Sequence, residues 1–266
     1  MTIFRRALRD RRRSTLWWVL GLLALNLLTL AFYPSIRGQQ EFDDLVQQMP
    51  PALRDLFGMS EGISLSSAPG YLWARLFSSL LTVLLVIYAV VAGSACIGGS
   101  EEDGTLELIL ANPVTRRRVA AERLVAVSTL LALLGVVSVA TLVLLAPPFH
   151  GLENISAGGL AAACAGAVTL AGFHLSLAFT AGAITGRRGP GLALGMVVAV
   201  GGFLAQGLLT AAGAPAWLRN LNPWFWYLES NLLAFGPSWE AWLPALLLSI
   251  PPAAVAIAIF ERRDLR

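Results

Sequence analysis

Six stretches of the chain are apolar for long enough to cross a bilayer, and charged residues fall between them rather than within them. A helix needs about 20 apolar residues to span a hydrocarbon core about 30 Å thick. The stretches run over Leu16–Tyr33, Leu76–Ala95, Leu124–Ala146, Leu160–Ile184, Leu192–Ala212 and Trp242–Phe260. The pattern predicts an all-α integral membrane protein with six transmembrane helices, a single membrane domain over residues 1–266. The first stretch has an Arg-rich flank, but no small-residue cleavage site follows it, so it is expected to stay as an anchor.

Between the spans the periodicity is amphipathic. Residues 1–15 place Ile3, Phe4, Ala7 and Leu8 on one helical face, as expected of a basic helix lying along the inner membrane surface. Segment 34–75 holds two short pieces divided by Pro50-Pro51. Phe42, Leu45, Val46 and Met49 share one face of the first, and Leu53, Leu56 and Phe57 one face of the second. Both are expected to be short helices on the outer surface. Segment 214–240 gathers Pro215, Trp217, Pro223, Trp224, Trp226, Tyr227 and Trp239 at the level of an aromatic belt. It reads either as an interfacial anchor or as a pair of short re-entrant helices packed against protein. The fourth span carries Ala161, Ala163, Ala165, Ala167 and Ala171, followed by Gly182 and Gly186, a small-residue pattern that lets helices approach closely in lipid.

Charge settles the expected orientation. Only 13% of residues are charged and 56% are hydrophobic, against roughly a quarter charged in a soluble domain. All 19 basic residues are Arg. With the N-terminus inside, 15 of them fall on the cytoplasmic side and 4 outside: Arg37, Arg54, Arg75 and Arg219. This bias predicts both termini in the cytoplasm. The arginines bracket apolar runs and form no groove or stripe, which argues against nucleic acid as a partner. With no Lys the chain lacks the residue that an ordinary P-loop uses to reach β- and γ-phosphates. Cys96 and Cys164 sit in apolar stretches at opposite depths and read as small buried hydrophobes.

Catalytic constellations are not found. There is no Gly-x-Ser-x-Gly elbow, no His-Glu-x-x-His, and no paired His/Asp set for a metal, so no enzyme is expected. The deep polar residues Asn26, Thr29, Thr169, His174, Ser176 and Gln206 include one ionisable group, His174. A lone intramembrane His is expected to be an interhelical hydrogen-bond partner. Asn26, Thr29, His174, Ser176 and Gln206 are the candidates for lining a pathway. The spans contain no acidic residue, which disfavours ion-coupled transport.

The informative stretch is 98–118. It opens with Ser100, Glu101, Glu102 and Asp103, where Ser100 and Asp103 fit a capping box. Leu106, Ile109 and Leu110 then form a stripe at helical spacing, and Pro113 ends the helix. The acidic start disfavours a membrane surface, because anionic lipid repels it; the stripe therefore needs a protein partner. These residues resemble permease subunits of ABC-2 type ABC transporters. The matching positions are Glu101, Gly104, Thr105, Leu106, Glu107, Leu108, Leu110, Pro113, Val114, Thr115 and Arg116, and the ending from Phe260 to Leu265 is similar as well.

The resemblance implies a half-transporter membrane domain that pairs with a second permease copy or homologue and with cytoplasmic ATPase subunits. ATP and Mg would be bound by those partners. The helix from Gly104 to Ala111 would be the coupling helix, with Leu106, Ile109 and Leu110 filling a groove of the ATPase and Glu101, Glu102, Asp103 and Glu107 meeting its basic residues. Thr105, Pro113 and Arg116 would complete the contact. The expected role is an exporter of the prokaryotic plasma membrane, with a hydrophobic or amphiphilic cargo such as a drug, antibiotic or lipid. A non-transporting scaffold or signalling subunit is the rival from another class, and a secondary transporter the rival within transport.

Overall fold

The computed structural model describes residues 3–50, 53–54 and 63–263, which are helical almost throughout and contain no strand. Six helices are long and apolar enough to cross a membrane, over Arg12–Ser35, Ala68–Glu102, Arg116–Leu145, Ala157–Thr185, Arg188–Ala211 and Trp239–Arg262. In chain order the elements are α1 (Ile3–Asp10), α2 (Arg12–Phe32), α3 (Gln40–Gln47), α4 (Ala68–Glu102) and α5 (Thr105–Leu110). They continue with α6 (Arg116–Leu145), α7 (Ala157–Thr185), α8 (Arg188–Ala211), α9 (Ala216–Arg219), α10 (Pro223–Glu229), α11 (Leu232–Phe235) and α12 (Leu243–Arg262).

The small residues of α7 put it at the centre. It packs most extensively on α4 and α12, then on α8 and α6, while α2 lies against α6. Ala163, Ala167 and Ala171 are fully buried. Ala161 and Ala165, on the other row, face an apolar groove of about 690 Å³ between α6 and α7. Backbones meet where side chains vanish: a Cβ on Gly93 would lie 2.6 Å from the Leu175 carbonyl oxygen. One on Gly191 would lie 2.6 Å from the Ala178 carbonyl oxygen and 2.8 Å from the Ser94 side chain. Gly191→Ala is therefore expected to push α8 off α4 and α7 and cost about 1–3 kcal/mol. Gly201→Ala, with nothing within 4 Å, is the control that should leave the thermal midpoint in detergent unchanged.

Helix α4 is longer than its apolar run. Its 35 residues extend about 52 Å at 1.5 Å per residue, so residues 68–75, expected in the outer amphipathic segment, instead belong to the second span. Trp73, Leu76 and Phe77 are fully buried there. Two π-helical segments interrupt it, Trp73–Leu80 and Ala95–Gly99. Wider turns leave carbonyls in need of donors, and other elements supply them. The Phe77 carbonyl accepts from Tyr227 Oη at 3.1 Å and from Thr82. At the other segment the Cys96 carbonyl accepts from Arg123 Nη1 at 2.6 Å.

Tyr227 reaches Phe77 because 214–240 folds inward as well as along the rim. Trp224, Tyr227, Leu228, Leu232 and Leu233 are buried against the spans, while Trp217 and Trp239 stay exposed. The segment is thus half wedge and half collar, and its irregular backbone is packed on protein, the condition under which such backbone is tolerated at membrane depth. In segment 34–75, Asp43 accepts from Ser64 Oγ at 2.6 Å and Ser66 Oγ at 3.0 Å. Partial burial opposes ionisation, but these hydrogen bonds outweigh it and hold the carboxyl below its ordinary pKa. Of the two amphipathic faces expected here, the side chains of Phe42 and Leu45 and all of Leu56 and Phe57 lie outside the described residues.

The deep polar residues do not converge; most bond to their own helices, while Asn26 Oδ1 and Gln206 Oε1 are buried without a hydrogen-bond partner among the described residues. Asn26 is the one that crosses helices, donating to Thr141 Oγ1 at 2.5 Å and the Ser138 carbonyl at 3.4 Å. His174 was expected to bond between helices; its Nδ1 instead lies 2.8 Å from the Leu170 carbonyl of its own helix, with its ring near Phe173 and Trp224. Thr29, Thr169 and Ser176 also bond back to their own helices. Asn26, Thr29, His174, Ser176 and Gln206 are all buried within this one chain.

Candidate functional site

One end of the bundle collects α1, the end of α12 and the 98–118 connection. The backbone N–H of Phe4 in α1 donates to Glu122 of α6 at 2.9 Å. Arg263, just past α12, pairs with Glu101 at the end of α4. Arg263 Nη1 also donates to the Ile184 carbonyl near the end of α7 at 3.3 Å. Arg116, opening α6, donates to the Arg263 carbonyl. Four spans are thereby tied at one point. Gly186, with φ of +70°, makes room for it: a Cβ there would sit 2.5 Å from Arg263 Nη1 and 2.6 Å from Glu101 Oε1.

The connection itself is a tight reversal. The α4 helix runs on to Glu102, and Asp103 and Gly104 then turn the chain, Gly104 at φ +65° in the left-handed region that favours glycine. The capping box expected of Ser100 and Asp103 does not form, because Ser100 lies inside the continuing helix and α5 starts only after Gly104. Thr105 Oγ1 donates back to the Ser100 carbonyl at 3.2 Å. Asn112 closes α5 by donating to the Leu108 carbonyl at 3.2 Å. Thr115 caps α6, accepting from the Arg118 N–H at 3.3 Å.

The stripe on α5 points inward. Leu106 is 0% exposed and Ile109 8%, and both join the same buried cluster as Val119 and Ala120 of α6. The expectation that Leu106, Ile109 and Leu110 fill a partner's groove is corrected accordingly: the underside of the chain's own bundle is the surface that covers Leu106 and Ile109, and Leu110 packs partly against it. Glu101 likewise turns inward to Arg263 and is not offered outward. What faces away is Glu102, Asp103, Gly104, Thr105, Glu107, Leu108, Ala111, Asn112 and Pro113. Leu108 is 70% exposed in the middle of that acidic face.

Arg263 is the residue that sequence reasoning missed in this role. Its 162-residue separation from Glu101 carries no periodic signal. The available hint was that both stretches fall on the same side of the expected topology. Among the described residues, no group of three His, Cys, Asp or Glu side chains is placed to hold a metal. A family model described as an ABC-2 family transporter protein matches residues 1–265. No curated protein matches the chain.

Proposed function

The chain belongs to the ABC-2 transporter family and is a membrane permease of an ABC transporter, and from that premise we propose that it is the export subunit coupled through α5 to a separate ATPase. The observation that carries this reading is the two-sided helix α5. Leu106 and Ile109 are buried in the bundle, while Leu108 and Glu107 are left on an outward acidic face. A helix with no internal use for its outer face, at the end where four spans are tied together, is a handle on the spans. Closure of the partner ATPases on ATP and Mg would pull on α5, and the Glu101–Arg263 pair would carry that pull to α12 and α7.

In this reading the handle and both termini are cytoplasmic, and the membrane is a prokaryotic plasma membrane. A second permease copy or homologue completes the path. The spans offer few polar groups, and the deep ones Asn26, Thr29, His174, Ser176 and Gln206 are buried inside the subunit, which favours a hydrophobic or amphiphilic cargo.

The test is co-purification from mild detergent. The wild-type chain is expected to bring down a P-loop ATPase with measurable ATP hydrolysis. Leu108→Asp changes only the outward face and should weaken that association at least tenfold while leaving the thermal midpoint unchanged. Undiminished ATPase recovery with Leu108→Asp would refute α5 as the handle. Recovery of partners without ATPase activity would favour a scaffold.

A further inference from the structure

A second feature lies at the same end of the bundle. A cavity of about 300 Å³ opens among α1, α4, α6 and the start of α8. Its charged lining is Arg11, Arg123 and Arg188, with Asp10, Glu102 and Asp103. It sits where α2 enters and α4 leaves the apolar zone.

The three guanidiniums come from the junction of α1 and α2, from α6 and from the start of α8, and are poorly matched within the chain. None of them is in an ion pair among the described residues. Arg123 is half-buried and gives one N–H to the Cys96 carbonyl. Arg11, also half-buried, gives one to the Ala92 carbonyl at 3.3 Å. The Arg188 side chain makes no hydrogen bond among the described residues. A guanidinium presents five N–H donors, so most of the donor capacity around this cavity is unused. Phosphate oxygens match that geometry, often in bidentate fashion.

The carboxylates set the rest of the ligand. Glu102 and Asp103 are exposed and unpaired among the described residues, and Asp10 has only a long contact, 4.0 Å, with Arg6. Three acids beside three bases disfavour a ligand of net negative charge. They favour one that carries its own cation next to its phosphate, with N–H groups for the carboxylates to accept.

We propose that this cavity binds a phosphodiester bearing a primary ammonium, the headgroup chemistry of phosphatidylethanolamine, with the phosphate on Arg11, Arg123 and Arg188 and the ammonium at Asp10, Glu102 and Asp103. A lipid so placed would wedge between α1 and the spans and fix the angle of α1 against α6.

The experiment uses the purified full chain and three short-chain lipids, dihexanoyl phosphatidylethanolamine, phosphatidylglycerol and phosphatidylcholine, with inorganic phosphate as a fourth probe. Binding is read by native mass spectrometry and by the shift in thermal midpoint. The ethanolamine lipid is expected to bind saturably and at least tenfold tighter than either other lipid. Arg188→Gln, an exposed change that leaves the fold intact, and Arg123→Gln should each weaken it at least tenfold. Arg187→Gln, outside the cavity, should not. Competition by inorganic phosphate at millimolar concentration supports the phosphate position and separates a free-anion source from a lipid one. Equal binding of all three lipids, or full binding by Arg188→Gln, overturns the proposal.

Discussion

Arg263→Ala is expected to lower the stability of the folded chain by about 3 kcal/mol and to abolish ATP-driven transport. The pair it forms with Glu101 is largely withdrawn from water, with side-chain exposures of 17% and 8%. Removing one member of such a pair leaves the other charge buried without compensation, and that residual charge carries most of the cost. The change also removes the donor to the Ile184 carbonyl, so α12 loses its polar tie to α4 and α7 at this end. The thermal midpoint of the purified chain reads the first effect, and cargo flux in vesicles the second. The reversed pair, Glu101→Arg with Arg263→Glu, should recover part of both. An Arg263→Ala chain that unfolds at the wild-type temperature would mean the pair is not an anchor.

Leu106→Asp is expected to be more severe and different in kind. Leu106 is fully buried, so the substitution removes a buried Leu, worth about 2–3 kcal/mol, and asks the interior to accept a carboxyl with no partner, which costs several kcal/mol more. The chain should fail to accumulate in the membrane in folded form. Leu106→Met, which conserves volume, should cost less than about 1.5 kcal/mol. Leu108→Asp, two residues on but exposed, should stay within about 0.5 kcal/mol of wild type. A membrane-extraction assay with a fluorescent folding reporter separates the three. If Leu106→Asp folds normally, α5 does not rest on the bundle as described.

The contrast between Leu106 and Leu108 shows what the sequence could and could not say. Apolar runs long enough to span a bilayer fix the number of helices, because lipid leaves the backbone few alternatives. The stripe at Leu106 and Ile109 was legible as a face in need of cover. Periodicity states that a face must be covered, not by what, and here the cover is the chain's own buried core. Helix α4 extends past its apolar run at both ends because Trp73, Arg75 and the glycines near Gly98 break the hydropathy without breaking the helix.

Contacts between distant positions were out of reach for a plainer reason. Tyr227 with the Phe77 carbonyl, and Glu101 with Arg263, lie 150 and 162 residues apart, and no local pattern encodes a register between helices. The π-helical segments are equally silent in sequence, since one extra residue per turn leaves an apolar run looking the same. His174 illustrates the opposite error. A polar group in an apolar span draws attention, yet the carbonyl four residues back satisfies it at no cost to the fold.

The most direct test of the central claim is site-specific photo-crosslinking in native membranes. A photoreactive residue at Leu108 is expected to capture a P-loop ATPase identified by mass spectrometry, while the same probe at Leu106 or at Trp217 captures none. An ATPase crosslinked equally from all three positions, or from none while the transporter is active, would contradict the account.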